Sequence, residues 1–150
     1  MEHQIITAQV VQGHRVASGL NGDERFPGGT LRMQAPYFHS RGLQTSHLHL
    51  GTVNVSVAPL RYRVVKPSYN FTNVKWHPTE PPEDFSFFDV ELLQPGQAPL
   101  AGFIYYPHPD TKPEHFQRSD VIELWLPFVH GLNYGMELQL RISLSQMTFE

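Results

Sequence analysis

His47-Leu48-His49-Leu50-Gly51-Thr52-Val53-Asn54-Val55-Ser56-Val57 is the stretch on which the fold class turns. Successive side chains of a strand point to opposite faces. Val53, Val55 and Val57 therefore share one face, while Thr52 and Asn54 share the other. Alternation of this kind marks a strand with one buried face, here over 52–57. The same pattern, with β-branched and aromatic residues between turn formers, predicts strands at 5–11, 15–17, 60–65, 85–93, 101–106, 121–126 and 137–144. Thirteen prolines and eleven glycines punctuate them. Residues 73–83, with Pro78, Pro81 and Pro82, are expected to form a rigid surface excursion. No stretch keeps helical spacing over the length of an ordinary helix, although 35–43 and 130–134 have room for a turn or two. The expectation is a mainly β, barrel-like single domain spanning residues 1–150.

Composition narrows the chemistry. There is no cysteine, which removes disulfides, thiolate catalysis and thiolate zinc sites. Eleven Lys and Arg stand against fourteen Asp and Glu, a formal net charge of -3, and the basic residues form no stripe. Nucleic acid is therefore not an expected partner. The apolar run 121–129 is broken by Glu123 and Pro127 and falls short of a bilayer span. Met1-Glu2-His3-Gln4 lacks the basic and then apolar regions of a signal peptide. A cytoplasmic protein without a membrane partner is the expectation.

Gly51-Thr52-Val53-Asn54 also carries possible chemistry. A glycine admits close approach of a ligand, and neutral Thr and Asn oxygens side by side suit a hydrated Mg²⁺ whose charge is balanced by substrate phosphates. The plain alternative is a Thr/Asn pair on a solvated strand face. A second candidate is Gly13-His14-Arg15-Val16-Ala17-Ser18-Gly19-Leu20-Asn21-Gly22, a strand entering a glycine-containing turn. Such a turn exposes backbone N–H groups to phosphate oxygens, with Ser18 adding a hydroxyl, although an ordinary hairpin reads the same way. His47 and His49, two apart on a strand, have the spacing of a histidine–metal site, but residues 51–57 supply no carboxylate to complete one. Tyr37, Phe38, Tyr105, Tyr106, Trp125 and Phe128 suit either stacking on a planar ligand or filling a core.

Three segments occur in a telling order: Val16-Ala17-Ser18-Gly19-Leu20, then Gly51-Thr52-Val53-Asn54-Val55, then Asp120-Val121-Ile122-Glu123-Leu124-Trp125-Leu126-Pro127. Leu132-Asn133-Tyr134-Gly135-Met136-Glu137-Leu138 follows as a closing turn and strand, and 88–93 with 101–104 look like a central hairpin. Together they resemble the archaeal-type CTP-dependent riboflavin kinases over most of the chain, with Gly-Thr-x-Asn as the specific motif. The resemblance implies a six-stranded cradle-loop-type β-barrel with one or two short helices. It implies a phosphotransferase that moves a phosphoryl group from CTP to riboflavin, giving FMN. Thr52 and Asn54 would hold Mg²⁺, while Val16, Ala17, Ser18, Gly19, Leu20 and Gly51 would line the nucleotide. Thr111, His115 and Glu123 would meet the flavin, with Glu123 as the catalytic residue that orients the acceptor hydroxyl and accepts its proton.

The chain also departs from that family. Acidic Asp23 and Glu24 follow the first segment, where the family continues with a glycine and an aromatic residue. The segment before Gly51 lacks the family's proline, and the basic short helix after the glutamate strand is reduced to Phe128-Val129-His130-Gly131. Thr111 and His115 stand further before Glu123 than their counterparts do. The alternative reading is a nucleotide- or flavin-binding barrel that keeps the fold without the activity; retention of both Thr52 and Asn54 favours the kinase.

Overall fold

The computed structural model describes residues 2–12, 29–111 and 118–150. Its elements in chain order are β1 (His3–Val10), α1 (Thr30–Ser40), β2 (Val53–Ser56), β3 (Tyr62–Val64), β4 (Tyr69–Val74), β5 (Glu83–Leu93), β6 (Leu100–Pro107), β7 (Val121–Trp125), β8 (Glu137–Ser143) and β9 (Met147–Phe149). The expected strand at 15–17 lies outside the described residues.

Six antiparallel strands close into a barrel in the order β5, β6, β7, β2, β1, β8 and back to β5. Closure depends on the length of β5. One edge pairs with β6 from Phe85↔Pro107 to Leu92↔Leu100, and the other edge is divided. Its first half pairs with β4, through Phe71↔Phe85 and its neighbours, and its second half pairs with β8 from Val90↔Ile142 to Leu93↔Gln139. The remaining strands, β3 and β9, form a two-stranded ribbon. Gln4 joins this ribbon to the barrel: its Nε2 donates to the Phe149 carbonyl at 2.8 Å, and the Phe149 N–H donates to its Oε1 at 3.1 Å.

Alternation along the strands divides the apolar side chains between two cores. Inside the barrel lie Ile6 and Ala8 of β1, Val55 of β2, Val90 of β5, Leu124 of β7 and Leu140 of β8, each 4 % exposed or less. The intervening residues point outward, yet on one side they are not solvated. Phe85, Phe87, Tyr105 and Trp125 form a second core outside the barrel, which α1 covers with Leu31, Ala35 and Phe38. The Phe38 ring stands 4.9 Å from Phe85 and 5.0 Å from Phe87, both edge-on. That arrangement suits aromatic quadrupoles better than a face-to-face stack.

This helix corrects the expectation of only a turn or two. Leu31, Gln34, Ala35 and Phe38 stand at i, i+3, i+4 and i+7, the spacing of one helical face, and all four are buried. A polar residue in that face and Pro36 inside the helix hide the pattern. Residues 130–134 form no helix, only turns at 130–131 and 134. Strands β4 and β9 were likewise not expected from period and turn signals. In β4, Asn73 adopts a positive φ of 54° at a register shift, and its N–H donates to Asp84 Oδ1 at 2.7 Å. Asparagine tolerates that conformation better than most residues. The segment 73–83 is also not a pure surface excursion. Trp76 is 4 % exposed, and its Nε1 donates to the buried Glu83 Oε2 at 3.0 Å.

Candidate functional site

The outer face of β2 and β7 carries the polar residues that the sequence singles out. Antiparallel pairing sets Asn54 opposite Glu123 and Val53 opposite Leu124. Because Val53, Val55 and Leu124 face the barrel interior, Asn54 and Glu123 come together on the outside. Thr52 immediately precedes β2, and its hydroxyl donates to Glu123 Oε1 at 3.0 Å. Three oxygen-bearing side chains, a hydroxyl, a carboxamide and a carboxylate, thus meet on one face of adjacent strands. Asn54 and Glu123 are 8 % and 7 % exposed, so this is a covered site rather than an open strand face.

The approach to Thr52 is pinned. Trp125 Nε1 donates to the His49 carbonyl at 2.7 Å, the His49 N–H donates to the Leu126 carbonyl at 2.9 Å, and Gly51 is buried beside them. These bonds bring the loop before β2 onto the end of β7. They also correct the reading of His47 and His49 as two positions on one strand, because residues 46–51 form turns and bends. The His49 ring packs at 5.3 Å from Phe128, whereas His47 lines an open groove of about 410 Å³ with His3, Asp89, Glu91 and Arg141. Among the described residues, no three His, Asp or Glu side chains gather to hold a metal ion.

Glu123 also has a neighbour on its other side. Tyr105 of β6 is its cross-strand partner. The Tyr105 hydroxyl donates to Gln34 Oε1 of α1 at 2.6 Å, which ties the helix to the strand carrying the site. Burial pushes the Tyr105 pKa well above the ordinary 10.0, and the negative potentials of Glu123 and Glu83 push it further. The hydroxyl therefore stays a neutral donor. Where β6 and β7 part beyond this pair lies a cavity of about 30 Å³ lined by Tyr62, Tyr106, Pro107, Ile122 and Glu123. That volume is room for a water or two.

The other expected site residues fall elsewhere. Thr111 sits in the turn after β6: its hydroxyl accepts the Asp84 N–H at 2.8 Å and donates to the His108 carbonyl at 3.3 Å. Val16, Ala17, Ser18, Gly19, Leu20 and His115 lie outside the described residues. Sequence reasoning missed Gln34, Thr30 and Glu83, all buried near Tyr105. Only Gln34 left a trace, as the polar member of an otherwise apolar helical face. The chain matches no protein-family model and no curated protein.

Proposed function

We propose that this barrel is a CTP-dependent, Mg²⁺-assisted phosphotransferase that acts on riboflavin or a similar primary alcohol, giving FMN from riboflavin. One observation carries the reading. The Gly-Thr-x-Asn segment runs beside the glutamate strand, so Thr52, Asn54 and Glu123 converge on one covered face. The donor set fits the ion. The Thr52 hydroxyl and the Asn54 carboxamide are neutral hard-oxygen ligands of the kind Mg²⁺ takes, and few protein charges are needed when nucleotide phosphates share the site. When bound, Mg²⁺ would neutralise charge on the phosphates during transfer.

The residues of the chain would do the rest by positioning. Thr52 Oγ1 and Asn54 Oδ1, two positions apart at the start of β2, would supply the two neutral oxygens. Gly51, with no side chain, allows phosphate oxygens close to the backbone. Phosphoryl transfer through a loose transition state asks for alignment and charge neutralisation far more than for a base. The acceptor hydroxyl then needs only to be held in line, so the reading does not depend on Glu123 removing its proton.

A second reading keeps the fold and binding without turnover. The depth of Asn54 and Glu123 favours it, since a buried polar seam can also serve the packing of the fold alone. Incubation with riboflavin, Mg²⁺ and each nucleoside triphosphate in turn, followed by chromatography for FMN, separates the two. FMN formed with CTP supports the kinase. Binding of CTP or riboflavin with no product from any triphosphate leaves the binding module.

A further inference from the structure

The carboxylate of Glu123 accepts a hydrogen bond from the Thr52 hydroxyl, and this decides what that hydroxyl can offer a ligand. A hydroxyl has one proton and two lone pairs. With its proton donated to Glu123 Oε1 at 3.0 Å, Thr52 Oγ1 presents lone pairs alone. An unconstrained hydroxyl rotates and offers either; a hydroxyl locked in this way is an oxygen ligand and nothing else. Outer partners of ligating groups work by this rule, fixing the orientation of the ligand and raising its basicity. Glu123 is itself well fixed for the task. It lies on β7 between Asn54 of β2 and Tyr105 of β6, and is 7 % exposed.

We propose that Glu123 is a positioning residue that aims the lone pairs of Thr52 at a divalent cation shared with Asn54 and the nucleotide phosphates. The inference rests on the nucleotide–magnesium reading above and deepens it, assigning Glu123 to the cation rather than to the acceptor's proton.

Calorimetric titration with CTP, once in saturating Mg²⁺ and once in EDTA, isolates the gain in affinity due to the metal. Glu123→Ala is expected to cut that gain by about tenfold or more, the usual scale for an outer partner, and to leave the affinity in EDTA unchanged. Glu123→Gln, whose amide oxygen still accepts the Thr52 proton, should fall between Glu123→Ala and wild type. Thr52→Val should lose the gain, while Thr52→Ser, which keeps the hydroxyl, should retain it. Because Glu123 acts through Thr52, adding Glu123→Gln to Thr52→Val should cost nothing further. This Thr52 series decides the matter even if Glu123→Ala does not fold, as thermal melting will show. Losses that add in the double variant overturn the proposal, as does a drop in turnover of Glu123→Gln with the metal-dependent gain intact, which would make Glu123 a base. The FMN assay run in parallel keeps the two readings apart. This pattern of affinities without FMN would end the kinase reading and leave the positioning role standing, whereas wild-type protein that gains nothing from Mg²⁺ would overturn both.

Discussion

Asn54 and Tyr105 flank Glu123 on either side, and each makes a different demand on the chain. Asn54 brings a carboxamide to a position 8 % exposed, where an apolar residue would pack at no desolvation cost. Asn54→Ala is expected to weaken CTP binding in Mg²⁺ by about tenfold or more, on the scale of losing one ligand-site contact, while the protein stays folded. Titration of the folded variant checks this, and unchanged affinity would take Asn54 out of the site. Tyr105→Phe tests the link to α1. Removing the donor to the nearly inaccessible Gln34 should cost about 1–3 kcal/mol of stability in a denaturant titration. The pH dependence has a definite sign. The folded-state pKa of Tyr105 is raised above the ordinary 10.0, so its contribution is complete below that pH and is lost as pH rises beyond it, where the unfolded chain releases the proton and the folded one does not. Tyr62 is raised in the same direction by burial and by Tyr106. Tyr105→Phe should therefore make the fall in stability above pH 10 shallower without abolishing it; an identical slope would mean that Tyr105 titrates normally in the fold.

At the scale of elements, α1 covers the aromatic side of the barrel wall, next to the strand that carries Glu123. Its Phe38 fills the space among Phe85, Phe87 and Trp125, each fully buried. Its C-terminal end is held by Arg41, whose guanidinium donates to the Thr72 carbonyl of β4 at 2.7 Å. Phe38→Ala should cost about 3–5 kcal/mol, the range for emptying an aromatic site in a close-packed core. The readout is the urea midpoint together with the fluorescence of Trp76 and Trp125. A loss below 1 kcal/mol would show that the helix is not anchored through this ring. On the proposed reading, loosening α1 from Tyr105 should also disturb its cross-strand neighbour Glu123 and lower metal-dependent CTP affinity along with stability.

The whole molecule is held closed by backbone pairing and the interior core rather than by charge. Glu91 and Arg141 face each other across β5 and β8, where the barrel closes, with an N–O contact of 2.7 Å. Both side chains are about one-third exposed, so the pair is well screened by solvent. Arg141→Ala should therefore cost less than about 1 kcal/mol. A loss of several kcal/mol in denaturant titration would mean that closure depends on the pair. Among the described residues, no helix is long and apolar enough to cross a membrane.

Period-two alternation by itself determined that this is a mainly β chain, because a strand's two faces are written directly into neighbouring residues. Val53, Asn54, Val55, Glu123 and Leu124 were legible in this way, as was the sharing of a face by Thr52 and Asn54. What alternation cannot say is what covers the outer face. Residues such as Phe87, Tyr105 and Trp125 read as outward or inward alike until a second layer is known. That layer, α1, was hidden because Gln34 interrupts its apolar face, and Gln34 is polar there only because Tyr105, 71 residues away, donates to it. The surroundings of Glu123 were illegible for the same reason. An alternating strand places a glutamate outside the barrel, but only the pairing of β7 with both β2 and β6 decides that outside means buried, against Thr52, and opposite Asn54 and Tyr105. Local sequence sets the direction of a side chain; long-range strand order sets what it meets.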